Sequence, residues 1–121
     1  MNYKTRNLSD HASAQCCVKL FDNGDIVLRS YATDVLYCRN ENNTMICTGT
    51  YSATTRKHIG WFLREYVPSV SYADVRDAYD HDEAIVLYPG RIETRPYTDV
   101  ERHIVKRRGY NASIYPSDFE F

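Results

Sequence analysis

The sequence lacks a long apolar run. No stretch approaches the roughly 20 consecutive apolar residues of a membrane-spanning helix, and residues 1–15 are polar, without the apolar segment of a secretory signal. The net charge is only −1, which argues against a broadly basic nucleic-acid-binding protein and against an acidic DNA mimic. We therefore expect a cytoplasmic protein without a membrane segment, and we expect no cofactor.

Cysteines are few and do not form a metal-binding pattern. The four cysteines include no C-x-x-C pair, so zinc-finger spacing is absent. If Asn42 and Asn43 form a two-residue turn, Cys38 and Cys47 would face each other across a hairpin, and a disulfide between them is conceivable. In a reducing compartment, free buried thiols are the favoured interpretation.

The 121 residues, of which 43% are hydrophobic, are enough for a single domain with a real core. We predict one domain over 1–121. Residues 1–12 are polar and are expected to be loosely ordered. Residues 110–121 form an aromatic and acidic tail, which either docks on the domain or waits for a partner. Eleven tyrosines suit both partly buried sheet faces and binding surfaces.

A β-hairpin is the strongest local signal. Two apolar segments, residues 16–21 and 26–30, flank the turn sequence DNGD. A two-residue loop at Asn23 and Gly24 would mix Lys19 with apolar side chains on one face. A three-residue loop that ends at a left-handed Gly24 collects the apolar side chains on one face, namely Cys16, Val18, Leu20, Ile26 and Leu28. Because the buried face fixes the register, we predict the three-residue loop.

The rest of the sequence predicts further strands and three helices. The second strand is expected to continue through Val35 and Tyr37 with a bend. Capping residues and apolar residues at helical spacing predict the helices. The predicted elements are a strand over 44–51, a helix from Ser52 or Thr54 to Tyr66, a helix over 71–79, a hairpin over 84–95 that turns at Pro89 and Gly90, and a helix over 98–108 that Gly109 stops. The predicted class is α+β, an antiparallel sheet of about five strands with two or three short helices packed on it.

Two polar segments together form a distinctive pattern. The first, S-Y-x-T-x-V, contains Ser30, Tyr31, Thr33 and Val35; the second, Y-S-x-T-T-x-K-H-I, contains Tyr51, Ser52, Thr54, Thr55, Lys57, His58 and Ile59. This pattern resembles a group of small uncharacterised bacteriophage proteins. The resemblance implies a compact phage accessory protein and makes counter-defence, as in anti-CRISPR proteins, the expected role. It does not extend to residues 67–121.

The first candidate site is the start of the predicted helix at residues 54–58, which are Thr54, Thr55, Arg56, Lys57 and His58. The first turn of a helix leaves backbone N–H groups free, and its dipole disfavours cations there. Two hydroxyls and three basic side chains that converge on this turn would bind a phosphate or a carboxylate. In the alternative interpretation a threonine caps the helix, Arg56 and Lys57 are solvated, and His58 is an interior histidine.

The second candidate site is a basic helix surface near the C-terminus. Arg102 with Lys106, and His103 with Arg107, form adjacent i, i+4 rows; Arg108 follows, and Tyr97 and Tyr110 flank the helix. An acidic patch of a host or defence protein, or a nucleic-acid backbone, would fit this surface. In the alternative interpretation, cations near the last turn merely offset the helix dipole.

Enzymatic chemistry has little support. The acidic run from Asp74 to Glu83 matches no known metal loop, and Arg76 is placed to pair with Asp80 at i+4, so a solvated helix end is the better interpretation. No G-x-S-x-G elbow is present. We expect no catalytic residue and no metal ligand.

We therefore predict a small non-enzymatic, phage-type binding protein that inhibits a bacterial defence component by occluding a protein surface. A first alternative is that residues 54–58 sequester an anionic nucleotide or a nucleic acid. A second is a metal-dependent nuclease. An exposed sheet edge would also allow a homodimer.

Overall fold

The computed structural model describes residues 2–8, 15–50, 52–107 and 113–120. Within these ranges the chain has an α+β fold, which confirms the predicted class. The elements are β1 (Tyr3–Arg6), β2 (Cys16–Phe21), β3 (Ile26–Ser30), β4 (Thr33–Arg39), β5 (Thr44–Cys47), α1 (Ala53–Tyr66), α2 (Tyr72–Asp80), β6 (Glu83–Tyr88), β7 (Arg91–Pro96), α3 (Asp99–Arg107) and the 3₁₀-helix η1 (Pro116–Phe119).

The strands of these described ranges form one seven-stranded antiparallel sheet in sequence order, from β1 to β7. The prediction of about five strands is therefore too low. One additional strand is β1, which pairs with β2 although residues 1–12 were expected to be loosely ordered. All four side chains of β1 are exposed, so the segment has no alternating apolar pattern that would mark it as a strand.

The other additional strand arises at Tyr31, where the predicted long second strand turns back on itself. Tyr31 has a φ of +55°, and β3 and β4 pair on either side of it, with Ser30 opposite Thr33. A left-handed backbone is uncommon for an aromatic residue, and this turn has no Gly or Asn to announce it. The predicted bend is in fact a hairpin.

The predicted hairpin between β2 and β3 is confirmed in its register. Val18 lies opposite Leu28, and Leu20 lies opposite Ile26. Gly24 has a φ of +94°, as the three-residue loop requires. The predicted strand over 44–51 is shorter, since β5 ends at Cys47.

All three predicted helices are present, with the predicted N-terminal caps. Ser52 caps α1, with its hydroxyl accepting from the Thr55 N–H at 3.2 Å. Ser71 and Asp74 form the capping box of α2. Reciprocal bonds between Thr98 and Glu101, of 3.0 and 3.2 Å, open α3. The predicted stop at Gly109 lies outside the described residues.

The sheet lies between two helical layers. On one face, Val18, Leu28 and Leu36 are fully buried under α1 and α2. The opposite face packs against α3 and the C-terminal segment. Its core contains Phe21, Val27, Tyr37, Ile46, Ala84, Tyr97, Ile104, Val105 and Ile114. The sheet is thus covered on both faces, by α1 and α2 on one and by α3 and the C-terminal segment on the other.

The C-terminal segment 113–120 docks on this second face. Asp34 is fully buried and binds Lys19 and Arg29, each at 2.9 Å. Its carboxylate also accepts a hydrogen bond of 2.8 Å from the backbone N–H of Ile114. Lys19 lies between two tyrosine rings, with its Nζ 5.3 Å from the ring centroid of Tyr115. Of the two alternatives for the tail, the structure shows the docked extension for these residues.

Candidate functional site

The start of α1 is where the sequence predicted an anion-binding site. Because α1 begins at Ala53, Thr54, Thr55 and Arg56 lie in its first turn, whereas Lys57 and His58 lie in the second turn rather than the expected first; the first turn has no acidic residue. The hydroxyl of Ser52 already accepts from the Thr55 N–H. One of the free donors of this helix end is therefore satisfied within the chain.

The five predicted ligand-binding side chains do not converge. Thr55 and His58 are buried, Thr54 is half-buried, and Arg56 and Lys57 are exposed. The helical period explains this division, since the inward stripe that contains Ile59 and Phe62 also includes positions 55 and 58. The expected cradle of two hydroxyls and three basic side chains around one anion is not formed.

The inward residues belong to a buried cluster that joins β3 to α1. Ser30 Oγ lies 3.1 Å from Thr55 Oγ1 and 2.8 Å from His58 Nδ1. Ser52 Oγ donates to Thr55 Oγ1 at 3.3 Å. Ser30 and His58 are each 2% exposed, so a substrate has no access to this serine–histidine pair. The cluster anchors the helix to the sheet.

Tyr31 covers the outer side of this cluster. Its side chain is 55% exposed, and its ring centroid lies 5.7 Å from that of His58. The ring of Trp61 lies 5.5 Å from His58 on another side. Ser30 and Tyr31 belong to the first segment of the sequence pattern, whereas His58 belongs to the second. The two segments are thus neighbours in the fold. This contact was not predicted from the sequence because the turn at Tyr31 was not predicted either.

The outward residues form a basic surface, which we call the α1 outer surface and define as Arg56, Lys57, Gly60 and Arg64. Gly60 lies three or four residues from each of the three cations, so all four positions share one side of the helix. The three cations are exposed. Among the residues that the structure describes, none of them forms an ion pair. The charge of these three cations is therefore not balanced by a described residue.

The second predicted site, on α3, is only partly assembled. Arg102, His103 and Lys106 are exposed and, with Asp99, line an open groove of about 430 Å³. Arg102 pairs with Asp99 at 3.2 Å, and Lys106 pairs with the carboxylate of Asp82 at 3.0 Å. Much of the basic charge is therefore balanced within the chain.

The remaining residues predicted for the α3 surface do not contribute to it. Tyr97 is 4% exposed and is part of the core, so the expectation that it flanks a binding surface is wrong. It follows a strand that ends at Pro96, and its ring turns inward to fill the space beside α3. Arg108, Tyr110 and the side chain of Arg107 lie outside the described residues.

The base of α3 contains a strong internal ion pair. The two terminal guanidinium nitrogens of Arg95, Nη1 and Nη2, donate to the carboxylate of Glu101 at 2.7 and 2.8 Å, and Glu101 is 2% exposed. Burial alone would raise the pKa of Glu101, but the hydrogen bonds from Arg95 and from the Thr98 N–H outweigh it and lower that pKa. Glu101 is thus held ionised at the helix start.

The cysteine thiols are free and poorly suited to chemistry. The disulfide considered for Cys38 and Cys47 is absent because the strands pair Cys38 with Met45 and Leu36 with Cys47. Burial raises the pKa of Cys38 and that of Cys47 to about 12. A thiol with such a pKa is not a thiolate near neutral pH, and the thiolate is the nucleophile.

The acidic run does not assemble a metal site. Within the described residues, no group of three or more His, Cys, Asp or Glu side chains could hold a metal ion. Arg76 approaches Asp77 at 3.5 Å rather than the expected Asp80. His81 Nδ1 lies 2.7 Å from the backbone oxygen of Asp77 and closes the end of α2.

In the part of the chain that the structure describes, none of the helices is both long enough and apolar enough to cross a membrane.

Comparison with known proteins gives one match. The family model described as "Family of unknown function (DUF8033)" matches residues 1–77. This region contains β1 to β5, all of α1 and most of α2, but not α3. No curated protein and no solved structure matches the chain.

Proposed function

This chain belongs to DUF8033, a family of unknown function, and we propose that it is a small non-enzymatic protein that inhibits a bacterial defence component by covering part of its surface. The observation that carries the binding part is the α1 outer surface, where three exposed cations have no ion-pair partner among the described residues. The defence part depends on the resemblance of the Ser30 to Ile59 pattern to bacteriophage proteins. The assumed compartment is the cytoplasm of an infected cell.

The burial of the potentially catalytic serine, histidine and cysteine side chains supports a binding function rather than catalysis. The serine–histidine pair is buried between β3 and α1. The thiols of Cys38 and Cys47 are kept protonated by burial. These groups lie in the interior, whereas the exposed cations Arg56, Lys57 and Arg64 form no ion pair among the described residues.

An acidic protein surface fits the α1 outer surface best. Unpaired cations at the start of a helix oppose the helix dipole, and a carboxylate placed over them reverses that disadvantage. Arg56 and Arg64 are separated by two turns, which is about 12 Å along the helix, so the surface is suited to several carboxylates rather than to one small anion. A second copy of the chain would bring the same cations and be repelled there; a homodimer would instead use the exposed edge of β1.

The proposal is tested with phage plating on cells that carry a panel of bacterial defence systems and that produce the protein or a variant. Wild type should restore plating against at least one system. The double variant Arg56→Glu, Lys57→Glu should lose this effect. The matched control, Arg102→Glu with Lys106→Glu, changes the net charge equally on α3 and should keep most of it.

Each alternative result has a defined meaning. Failure to restore plating against every system contradicts the defence role. Loss in the α3 variant alone moves the contact to Arg102, His103 and Lys106, as the sequence predicted. Circular dichroism and thermal unfolding verify that both variants are folded.

A specific observation also favours the alternative of nucleic-acid sequestration, since exposed unpaired cations at a helix start attract phosphates as well as carboxylates. Fluorescence anisotropy with single- and double-stranded oligonucleotides of about 20 nucleotides tests it. Binding that weakens steeply between about 50 mM and about 200 mM salt, and that is lost in the Arg56→Glu, Lys57→Glu variant, would favour this alternative over a protein partner.

A further inference from the structure

Gly60 lies in the middle of α1, where glycine is an unfavourable residue. An interior helical glycine destabilises a helix relative to alanine because it loses more conformational freedom on folding. The backbone at Gly60 is helical and does not require glycine. A Cβ atom added at this position would meet no atom within 4 Å. Neither backbone conformation nor packing among the described residues therefore explains why alanine is not used.

Gly60 also lines a groove between α1 and the start of α2. The groove has a volume of about 240 Å³, and its other lining residues include Leu63, Arg64, Val70 and Tyr72. Leu63 and Val70 are buried and form an apolar floor, whereas Arg64 is exposed at the rim. The volume is below the roughly 300–1,000 Å³ of small-molecule pockets, which suits one protein side chain.

We propose that this groove receives an apolar side chain of a protein partner, and that an adjacent carboxylate of the same partner pairs with Arg64. The proposal rests on the protein-binding function proposed above and names the chemistry of the partner: an acidic segment with one apolar anchor. The absence of a side chain at Gly60 lets the backbone of that segment approach α1 closely.

Charge and shape together select this partner. Arg56, Lys57 and Arg64 lie on the same side of the helix as Gly60, so the side of α1 that an approaching segment meets carries three positive charges. Acidic residues near the apolar anchor complement this charge. A nucleic-acid backbone would use the cations but has no aliphatic side chain for the floor formed by Leu63 and Val70. Anchors that fill a desolvated pocket contribute most of the binding free energy in protein interfaces.

The test uses the full chain and a displayed random library of peptides of about 12 residues, a length that suits recognition of a single segment. Peptides selected on wild type should carry Asp or Glu within a few residues of a Leu, Ile, Phe or Met. Arg64→Ala and Gly60→Ala should each weaken their binding by about tenfold. The matched control Arg76→Ala removes an exposed arginine of α2 outside the groove and should bind them as wild type does.

Gly60→Ala separates binding from folding. Because alanine is the better helix former and no atom lies near its Cβ, the free protein should gain about 2–4 °C in Tm. A variant that is more stable and yet binds the peptides more weakly supports the groove as a docking site. Unchanged peptide binding in Gly60→Ala overturns the inference, even if Arg64→Ala weakens it.

Two further outcomes also overturn the inference. One is a selection that yields no binding peptides, or only peptides without acidic residues. The other is displacement of the peptides by an oligonucleotide at equal affinity, since that would assign the surface to phosphates.

The plating assay separates this inference from the proposed function. If Gly60→Ala and Arg64→Ala still restore plating while Arg56→Glu, Lys57→Glu does not, the groove assignment fails and the proposed function stands. If peptides bind as expected but wild type restores plating against no system, the groove stands and the defence role fails.

Discussion

Helices α1 and α3 both carry exposed cations, but these cations differ in their position along the helix and in their ion pairing. In α1, Arg56 and Lys57 stand near the N-terminus, where the helix dipole disfavours them, and the first turn has no acidic residue. In α3, the first turn contains Asp99 and Glu101, and Lys106 stands near the end of the described helix. Arg102 and Lys106 of α3 have carboxylate partners within the chain, whereas Arg56, Lys57 and Arg64 of α1 have none among the described residues.

This difference separates charges that stabilise the fold from charges that are available for a partner. The interior side of α1 is held by the hydrogen-bonded cluster of Ser30, Thr55 and His58, so the exposed cations of α1 are not required for anchoring. The interior side of α3 depends on the ion pair between Arg95 and Glu101. Charge reversal should therefore lower stability at α3, whereas at α1 it should impair binding without lowering stability.

The largest effect should come from Glu101→Ala, which removes a buried carboxylate, two charge-assisted hydrogen bonds and half of a capping box. We expect a loss of about 2–3 kcal/mol in the free energy of unfolding, less than for a fully buried pair because Arg95 is partly exposed. Urea denaturation measures it. The control Asp99→Ala breaks an exposed pair on the same helix and should cost at most about 0.5 kcal/mol. Equal losses would refute the special role of Glu101.

The anchor of α1 is tested by Ser30→Ala. The change leaves the buried His58 Nδ1 and Thr55 hydroxyl without their shared partner, which should cost about 1–2 kcal/mol in the free energy of unfolding. Chemical denaturation of the variant, beside Ser117→Ala at an exposed position, measures it. A stability equal to that of wild type would mean that the cluster does not hold the helix.

Charge reversal should give stability changes of opposite sign on the two helices. Arg56→Glu with Lys57→Glu puts acids at the positive end of the α1 dipole and should raise the free energy of unfolding by about 1 kcal/mol. Arg102→Glu with Lys106→Glu breaks the pairs with Asp99 and Asp82 and should lower it by a similar amount. Both are measured by thermal unfolding at low salt. If the free energy of unfolding changed in the same direction in both variants, the proposed contrast between α1 and α3 would be wrong.

The ion pair of α3 should also make stability depend on acid pH. The pKa of Glu101 is lower in the folded chain than its ordinary value of 4.5, so its stabilising contribution is complete above about pH 4.5. That contribution should disappear as the pH falls through the folded-state pKa. The free energy of unfolding of Glu101→Gln should change less than that of wild type between neutral pH and pH values below the folded-state pKa. Identical pH profiles would contradict this assignment.

The smallest effect should be at His81. Its hydrogen bond to the backbone oxygen of Asp77 raises the pKa of His81 above 6.5. Its contribution is therefore complete below pH 6.5 and is lost as the pH rises through the folded-state pKa. Because the imidazole is exposed, we expect only a slight fall in Tm as the pH rises from 6.5 through the folded-state pKa. In His81→Asn this part of the fall should be absent. If the Tm of wild type instead rose relative to that of His81→Asn as the pH increased, the assigned direction of the pKa shift would be wrong.

Much of the fold could be predicted because its signals are local. The capping residues Ser52, Ser71 and Thr98 predicted the three helix starts, and the faces of the first hairpin predicted its register. Strand β1 was missed because its side chains are exposed on both faces. The turn at Tyr31 was missed because no Gly or Asn marks its left-handed backbone in the sequence.

The candidate site was located more accurately than it was oriented. Of the two caps that the sequence allowed for α1, Ser52 and Thr54, the structure has Ser52, but the side chains of residues 54–58 were expected to converge on one anion. The apolar stripe through Ile59 and Phe62 already fixes the rotation of the helix, and this rotation turns Thr55 and His58 inward and Arg56 and Lys57 outward. The pairing of Lys106 with Asp82 could not be predicted, because it joins residues that only the folded sheet brings together.

The docking of Ile114 on Asp34 has a consequence for how the protein matures during translation. Asp34 receives its two cations from β2 and β3 early in the chain, but its third bond comes from a backbone amide 80 residues later. Until residue 114 has emerged from the ribosome, this carboxylate and the apolar face around it lack part of their cover. If the sheet forms before that point, one of its faces is still exposed to water around Asp34.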